Sequence, residues 1–223
     1  MHVPPRVLGG LVARWSALLG GLFLFAVAIV CMLEAELGLS PWDVLHQGIA
    51  DHTPLTFGEA NIVVGVFVLA LAWGLGAKIG VGTVANAVLV GVFIQGLTAI
   101  PAVDSLSEDA LGVRIALLAV SMPIFGIASA LYIGAYLGAG PRDSLMVVVG
   151  ARTHLRLGIV RIGIELLALG AGFALGGTIG IGTVVFALGI GPALEGGFWL
   201  LERSRFGAAA PLAIPEPAPL VGS

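Results

Sequence analysis

The chain has 223 residues, of which 58% are hydrophobic and 10% charged, with 34 glycines and a formal net charge of −3. A mean hydropathy of +1.09 and about half the charge share of an average soluble domain exclude a soluble globule. With 10 Lys and Arg against 13 Asp and Glu and no basic run, nucleic-acid binding has no electrostatic footprint, and the single cysteine, Cys31, rules out an internal disulfide and a cysteine-rich metal site.

At about 20 apolar residues per crossing the composition predicts an all-α membrane protein with six spans. The first apolar run covers 15–33 and is closed by Glu34 and Glu36; it is too long for a signal-peptide core and lacks a small-x-small cleavage site. Next comes Ser40-Pro41-Trp42-Asp43, which reads as a helix start: Ser40 as N-cap, Pro41 where its missing N–H is harmless, Asp43 placed to cap backwards. The helix it opens is too short and too polar to cross, and is expected to be interfacial or re-entrant. Spans follow at 61–75 and 81–100, joined by Ile79-Gly80-Val81-Gly82-Thr83, where paired glycines permit a tight reversal or close backbone approach and Thr83 is the expected N-cap. After a polar linker at 101–112 come a fourth span at 115–137, a second short helix opened by Gly140-Pro141-Arg142-Asp143, and spans at 162–175 and 181–201, with Thr183 as the expected last cap. Residues 206–223, rich in proline and alanine, read as a disordered tail.

The two halves repeat each other at a constant offset of 100 residues: 37–96 against 137–196 gives 20 identities in 60 positions without a gap. Chance gives about a twentieth to a tenth. Upstream, Arg14 aligns with Arg114 and Phe25 with Phe125. The expected units are therefore a first repeat at 1–100, the linker, and a second repeat at 113–205. Three spans per copy is an odd number, so the second copy enters the membrane from the opposite face and the repeats are inverted. Lysine and arginine give an independent test, since they favour the cytoplasmic side. With the N-terminus inside, nine of the ten fall there, only Arg114 lying outside together with most of the acids. Both termini are expected to be cytoplasmic.

Candidate site residues follow from polarity within this frame. Spare N–H groups and the positive dipole end of each short helix could face an anionic group near the midplane, which singles out Asp43 and Asp143, with Trp42 beside the first and Arg142 as a charge partner. Glu195 and its repeat mate Gln95, with Asn86, are expected to line a central cavity. Arg161 and Glu165, four apart, are expected to form an intrahelical ion pair. His46 and His52 beside Asp43 and Asp51 occur in one copy only, so neither a metal nor any cofactor is expected. Gly126, Ala130, Gly134 and Gly138 place a small residue at every fourth position of the fourth span, a face for close helix packing.

The motifs LGLSPWDVLHQGIA, TFGEANIVVG, IGVGTVANA, LGAGPRDSL, VRIGIEL and IGIGTVVFALGIGP resemble those of the bacterial YczE-like membrane proteins, which are related to the larger YitT group. The resemblance covers about residues 37–196 and implies a multi-pass protein of the bacterial inner membrane; it carries over no catalytic residue. From the residues themselves the first expectation is a small-solute transporter of unknown substrate. The alternative is a non-transporting accessory or assembly subunit whose glycine-lined face receives a partner membrane protein, and a homo-oligomer is left open. The chain has no HExxH, GxSxG or phosphate-binding GxxxxGK[ST] sequence, so an enzyme is not expected.

Overall fold

The computed structural model describes residues 5–208. Along them run β1 (Arg6–Val7), α1 (Leu11–Ala35), α2 (Pro41–His52), α3 (Phe57–Gly74), α4 (Val81–Thr98), α5 (Pro101–Asp104), a 3-10 turn at Ser105–Glu108, α6 (Leu111–Gly134), α7 (Pro141–Thr153), α8 (Leu157–Ala174), α9 (Ile181–Arg203) and β2 (Gly207–Ala208). Six of these helices, α1, α3, α4, α6, α8 and α9, are apolar and, at 18 to 25 residues, long enough to cross a bilayer. The 12 residues of α2 and 13 of α7 are too few. The six spans are those the apolar runs indicate; α1, α3, α6 and α8 start earlier than expected, while α4 and α9 start at 81 and 181 as expected. α3 begins at Phe57 because Thr56 and Glu59 form a reciprocal capping box, Thr56 Oγ1 accepting from the Glu59 N–H at 3.2 Å.

Both short helices begin where their sequences say. The Ser40 hydroxyl donates to Asp43 Oδ2 and accepts from the Asp43 N–H at 3.3 Å, with Pro41 in the first turn. α7 has Gly140 as its N-cap, with Pro141 in the same place. The caps of α4 and α9 differ from expectation: Gly80 and Gly180 are the N-caps, while Thr83 and Thr183 sit three residues on and accept the N-cap N–H through Oγ1, at 3.2 Å in both. A threonine at the cap itself would put a Cβ where Gly80 and Gly180 each lie against the other half's backbone.

α1 and α6 lie antiparallel and in contact along their lengths at the centre; α4 packs on α1, α9 on α6, α3 on α4 and α7, and α8 on α2. Leu18, Leu22, Ile29, Met32 and Phe125 are fully buried between them. Phe25 meets Phe125, 100 residues on, edge to face at 5.1 Å between ring centres. The same offset relates other pairs of contacts. Arg14 Nε donates to the Ala135 carbonyl at 2.7 Å and Arg114 Nε to that of Ala35 at 2.9 Å, so each arginine satisfies C-terminal carbonyls that the opposite central helix leaves without a helical partner. Gly82 N–H donates to Leu137 O at 2.8 Å and Gly182 N–H to Leu37 O at 2.7 Å. The glycine loop of each half therefore clamps the segment that leads into the short helix of the other.

The Gly126–Gly134 face is closed by this chain. Gly126 abuts the Ala193 backbone and Gly134 the Leu201 side chain and the Pro5 carbonyl, so α9 and the N-terminal strand cover the stripe that the alternative reading offered to a partner. The expected disordered tail is corrected at its start: Gly207 and Ala208 pair antiparallel with Val7 and Arg6, while 209–223 lies outside the described residues. This pairing brings the two described ends of the chain together, and they define the strand end of the bundle. The opposite end, carrying α5, is the linker end.

Gly38 and Gly138 have φ of +111° and +135°, and a Cβ on Gly38 would stand 2.5 Å from the Gly180 nitrogen. Gly38→Ala is expected to cost at least about 2 kcal/mol. Gly196→Ala, where a Cβ meets nothing within 4 Å, is expected to be neutral or to stabilise by about 0.5–1 kcal/mol. Thermal unfolding of the two purified variants in detergent checks both.

Candidate functional site

α2 and α7 come together through their N-terminal turns, and their far ends reach the hairpin loops of opposite halves. Gln47 Oε1 accepts from the Thr178 N–H at 2.7 Å in the α8–α9 loop, and Arg152 Nε donates to Leu75 O at 3.0 Å in the α3–α4 loop. Where the first turns meet, the Arg142 guanidinium stacks over the Trp42 ring at 4.8 Å from its centre. These are repeat mates, brought into contact from sequence positions 100 apart. Beside the stack is a cavity of about 120 Å³, lined by Trp42, Asn86, Ser129, Tyr132, Arg142 and Asp143, and continuing between α8 and α9 past Arg161, Glu165, Ile190 and Leu194. Two helix N-termini facing one cavity add partial positive charge to that of Arg142.

A chain of hydrogen bonds fixes the arginine. Arg142 NH2 donates to His46 Nε2 at 3.4 Å, leaving the His46 Nδ1–H to donate to Asp43 Oδ1 at 3.2 Å, and Asp43 also accepts the Ser40 hydroxyl. His46 is fully buried and Asp43 1% exposed. One helix of the first half thereby positions the cation of the second. Among the described residues Arg142 forms no direct ion pair with a carboxylate; the three ion pairs there are His46–Asp43, Arg114–Glu36 and Arg161–Glu165. Asp143, on the cavity wall, accepts instead from the Tyr132 hydroxyl at 3.2 Å.

The residues singled out from sequence divide accordingly. Trp42, Asn86, Arg142, Asp143, Arg161 and Glu165 line the cavity, and the last two form the expected pair at 2.9 Å. Asp43 does not line it and stands behind as a support, so Asp43 and Asp143 are not an equivalent pair of ligands. Gln95 and Glu195 are exposed and outside the cavity wall. Gln95 lies at the α3–α4 seam beside Gly58, because the inward positions on its turn are taken by Gly91 and Ile94. His52 bonds the Gly48 carbonyl at 3.0 Å, away from His46. Two wall residues, Ser129 and Tyr132, are missed by the sequence reasoning. Tyr132 carries a sequence signal, one of only two tyrosines in the chain, placed in the last turn of the fourth span.

Residues 12–196 match DUF6198, a family of unknown function. The chain belongs to this family. It is 34% identical over 186 residues to the uncharacterized membrane protein YczE of Bacillus subtilis, covering 80% of this chain and 82% of that protein. It is 33% identical over 202 residues to an uncharacterized protein of Haemophilus influenzae, covering 87% of this chain and 91% of that one. No solved structure matches the chain. Relatedness to a membrane protein, together with six apolar helices of spanning length, makes this a multi-pass membrane protein in contact with the lipid bilayer.

The Trp42–Arg142 stack is expected to carry a coupling of about 0.5–2 kcal/mol. A double-mutant cycle with Trp42→Leu and Arg142→Lys, read by unfolding in detergent, measures it, since lysine keeps the charge and loses the planar stack. Additive effects would mean that the two side chains are only neighbours.

Proposed function

We propose that the protein transports a small solute bearing an anionic group across the bacterial inner membrane, through two inverted three-span repeats with both termini cytoplasmic and without enzymatic activity. The observation that carries this reading is the central cavity at the meeting of the two short helices, where Arg142 is held by His46 and Trp42 with no carboxylate among the described residues directly paired to it. Broken helices whose positive ends face one another near the middle of a bundle are the construction by which inverted-repeat carriers hold anionic groups. The matched bonds of Arg14 to Ala135 and Arg114 to Ala35, and of Gly82 to Leu137 and Gly182 to Leu37, support the two-fold relation between halves. The far ends of α2 and α7, bound to hairpin loops of opposite halves, support re-entrant helices that enter from opposite faces. The excess of lysine and arginine on one side supports the orientation.

In this reading Arg142 binds the anionic group, and Asp143 with Tyr132, Ser129 and Asn86 recognises the remaining polar atoms. Arg161 and Glu165 form the charged mouth of the cavity. The accessory-subunit reading loses the support of the glycine-lined face, because that face is covered by α9.

The test uses purified protein in proteoliposomes on a solid-supported membrane, challenged with a panel of amino acids, carboxylates, inorganic anions and neutral sugars. Currents with an anion-bearing class, lost in Arg142→Gln and reduced at least about tenfold in Asp143→Asn, are expected, a loss of the size that an unmade charged hydrogen bond causes. Leu167→Ala, at a side chain 75% exposed on α8, should retain them. Currents unaffected by Arg142→Gln, or absent for every solute class, would contradict the proposal.

A further inference from the structure

The two halves share a sequence pattern and differ in how their outer helix pairs pack. In the first half α3 and α4 close tightly where Gly58 faces Gly91: a Cβ on either glycine would run into the carbonyl oxygen of the other. Gly158 and Gly191, the identical residues 100 positions on, face nothing, since a Cβ on either would meet no atom within 4 Å. No comparable packing joins α8 to α9. Of their most apolar windows, α3 and α4 each bury 33%, against 17% for α8 and 11% for α9.

The same difference appears in the path to the cavity. Met32, Val90 and Ile94 are buried, with exposures of 0%, 3% and 0%, and seal the linker end. Their repeat mates Tyr132, Ile190 and Leu194 line the cavity as it runs between α8 and α9 towards the strand end. A Gly–Gly contact is built by two small residues on separate helices, and a helix pair uses such residues to let backbones approach. One such pair is used here and its copy is not.

We propose that Gly158 and Gly191 are a docking pair for a second state, in which α8 closes on α9 at the strand end while α3 parts from α4 at Gly58 and Gly91, so that the cavity opens towards the linker end. This rests on the solute-carrier reading above. The present structure is then the state open at the strand end, which is the cytoplasmic end in the proposed orientation. The exchange is not a perfect mirror image. Glu165 stands where its mate Gly65 packs so closely on α4 that a Cβ added there would lie 3.0 Å from the Ala87 carbonyl oxygen. Closure is therefore confined to the Gly158–Gly191 end, and the Arg161–Glu165 pair stays in the cavity wall beneath it.

The full chain in lipid nanodiscs, in a Cys31→Ser background, tests this with a membrane-impermeant maleimide, which reacts only with thiols that water reaches. Ile94→Cys is expected to be protected and Leu194→Cys to react. Adding Gly58→Ala, which puts a Cβ 2.5 Å from the Gly91 carbonyl, should raise the ratio of Ile94→Cys labelling to Leu194→Cys labelling by about tenfold, as expected for an overpacked contact. Gly158→Ala, the same change at the repeat mate, should leave the ratio unchanged or lower it. If Gly58→Ala does not yield a monodisperse protein, Gly91→Ala strains the same contact from the other helix. A ratio unmoved by either first-half variant, or moved equally by Gly158→Ala, overturns the docking pair; so does protection of the Leu194→Cys thiol that depends on a second copy. The carrier reading is judged separately by the Arg142 and Asp143 currents, which can survive when the labelling ratio does not move.

Discussion

Each long central helix ends in a non-helical segment whose backbone carbonyls need donors, and the rest of this structure is arranged around supplying them. The breaks are at 36–40 and 136–140, between each central helix and the short helix after it. Their carbonyls are taken up by the opposite half: Arg114 bonds Ala35 and Glu36, Arg14 bonds Ala135 and Tyr136, Gly182 bonds Leu37 and Gly82 bonds Leu137. Neither half can supply these donors to itself, because they sit on elements at the other end of its own central helix. The glycines in the loops are required by the same bonds, since the backbones must touch for an N–H to reach a carbonyl across the seam. The two halves are thus obligate partners, and their joint product is the meeting of two helix N-termini at the centre.

The chemistry of the centre follows from that placement. Repeat mates fall close to one another near the line between the halves, as Phe25 does with Phe125 and Trp42 with Arg142. Where the mates are alike they fill space. Where they have diverged they make a site: tryptophan on one side supplies a flat apolar face, and arginine on the other supplies a cation that lies on it. His46 has Met146 as its mate, and Ser40 has Gly140, so the buried polar support for Arg142 exists on one side only. Divergence between copies, rather than their likeness, is what makes the cavity one-sided and places a cation in its wall.

Much of this is legible in the sequence, for reasons that can be stated residue by residue. Spans can be read because apolar length is a direct consequence of bilayer thickness. The starts of α2 and α7 can be read because Ser-Pro-x-Asp and Gly-Pro-x-Asp satisfy backbone groups within one turn, a local matter. The aligned pair Arg14 and Arg114 is visible but its role is not, because carbonyls 121 and 79 residues away accept the bonds. Gln95 and Glu195 mislead since repeat symmetry fixes how deep a residue lies, and says nothing about which way the helix face turns. For Gln95 that orientation is set by the packing of Gly58 on Gly91, a tertiary effect. Tyr132 and Ser129 escape notice for the complementary reason: they have apolar mates, Met32 and Ile29, and so carry no repeated signal. The early turn at 206–208 reads as tail because a two-residue strand has no periodicity to detect.

The claim on which the account depends most is that the two halves enter the membrane from opposite faces, with α2 and α7 reaching outward from a shared centre. Asp51 and Ala151 are repeat mates near the far ends of these helices, and both are exposed. In a Cys31→Ser background, Asp51→Cys and Ala151→Cys, each alone, can be labelled with an impermeant thiol reagent in right-side-out and inside-out membrane vesicles. Labelling of Asp51→Cys from the periplasmic side and of Ala151→Cys from the cytoplasmic side is the predicted result. Labelling of both from the same side would contradict it, since parallel repeats cannot bring two half-helices to one centre from opposite faces.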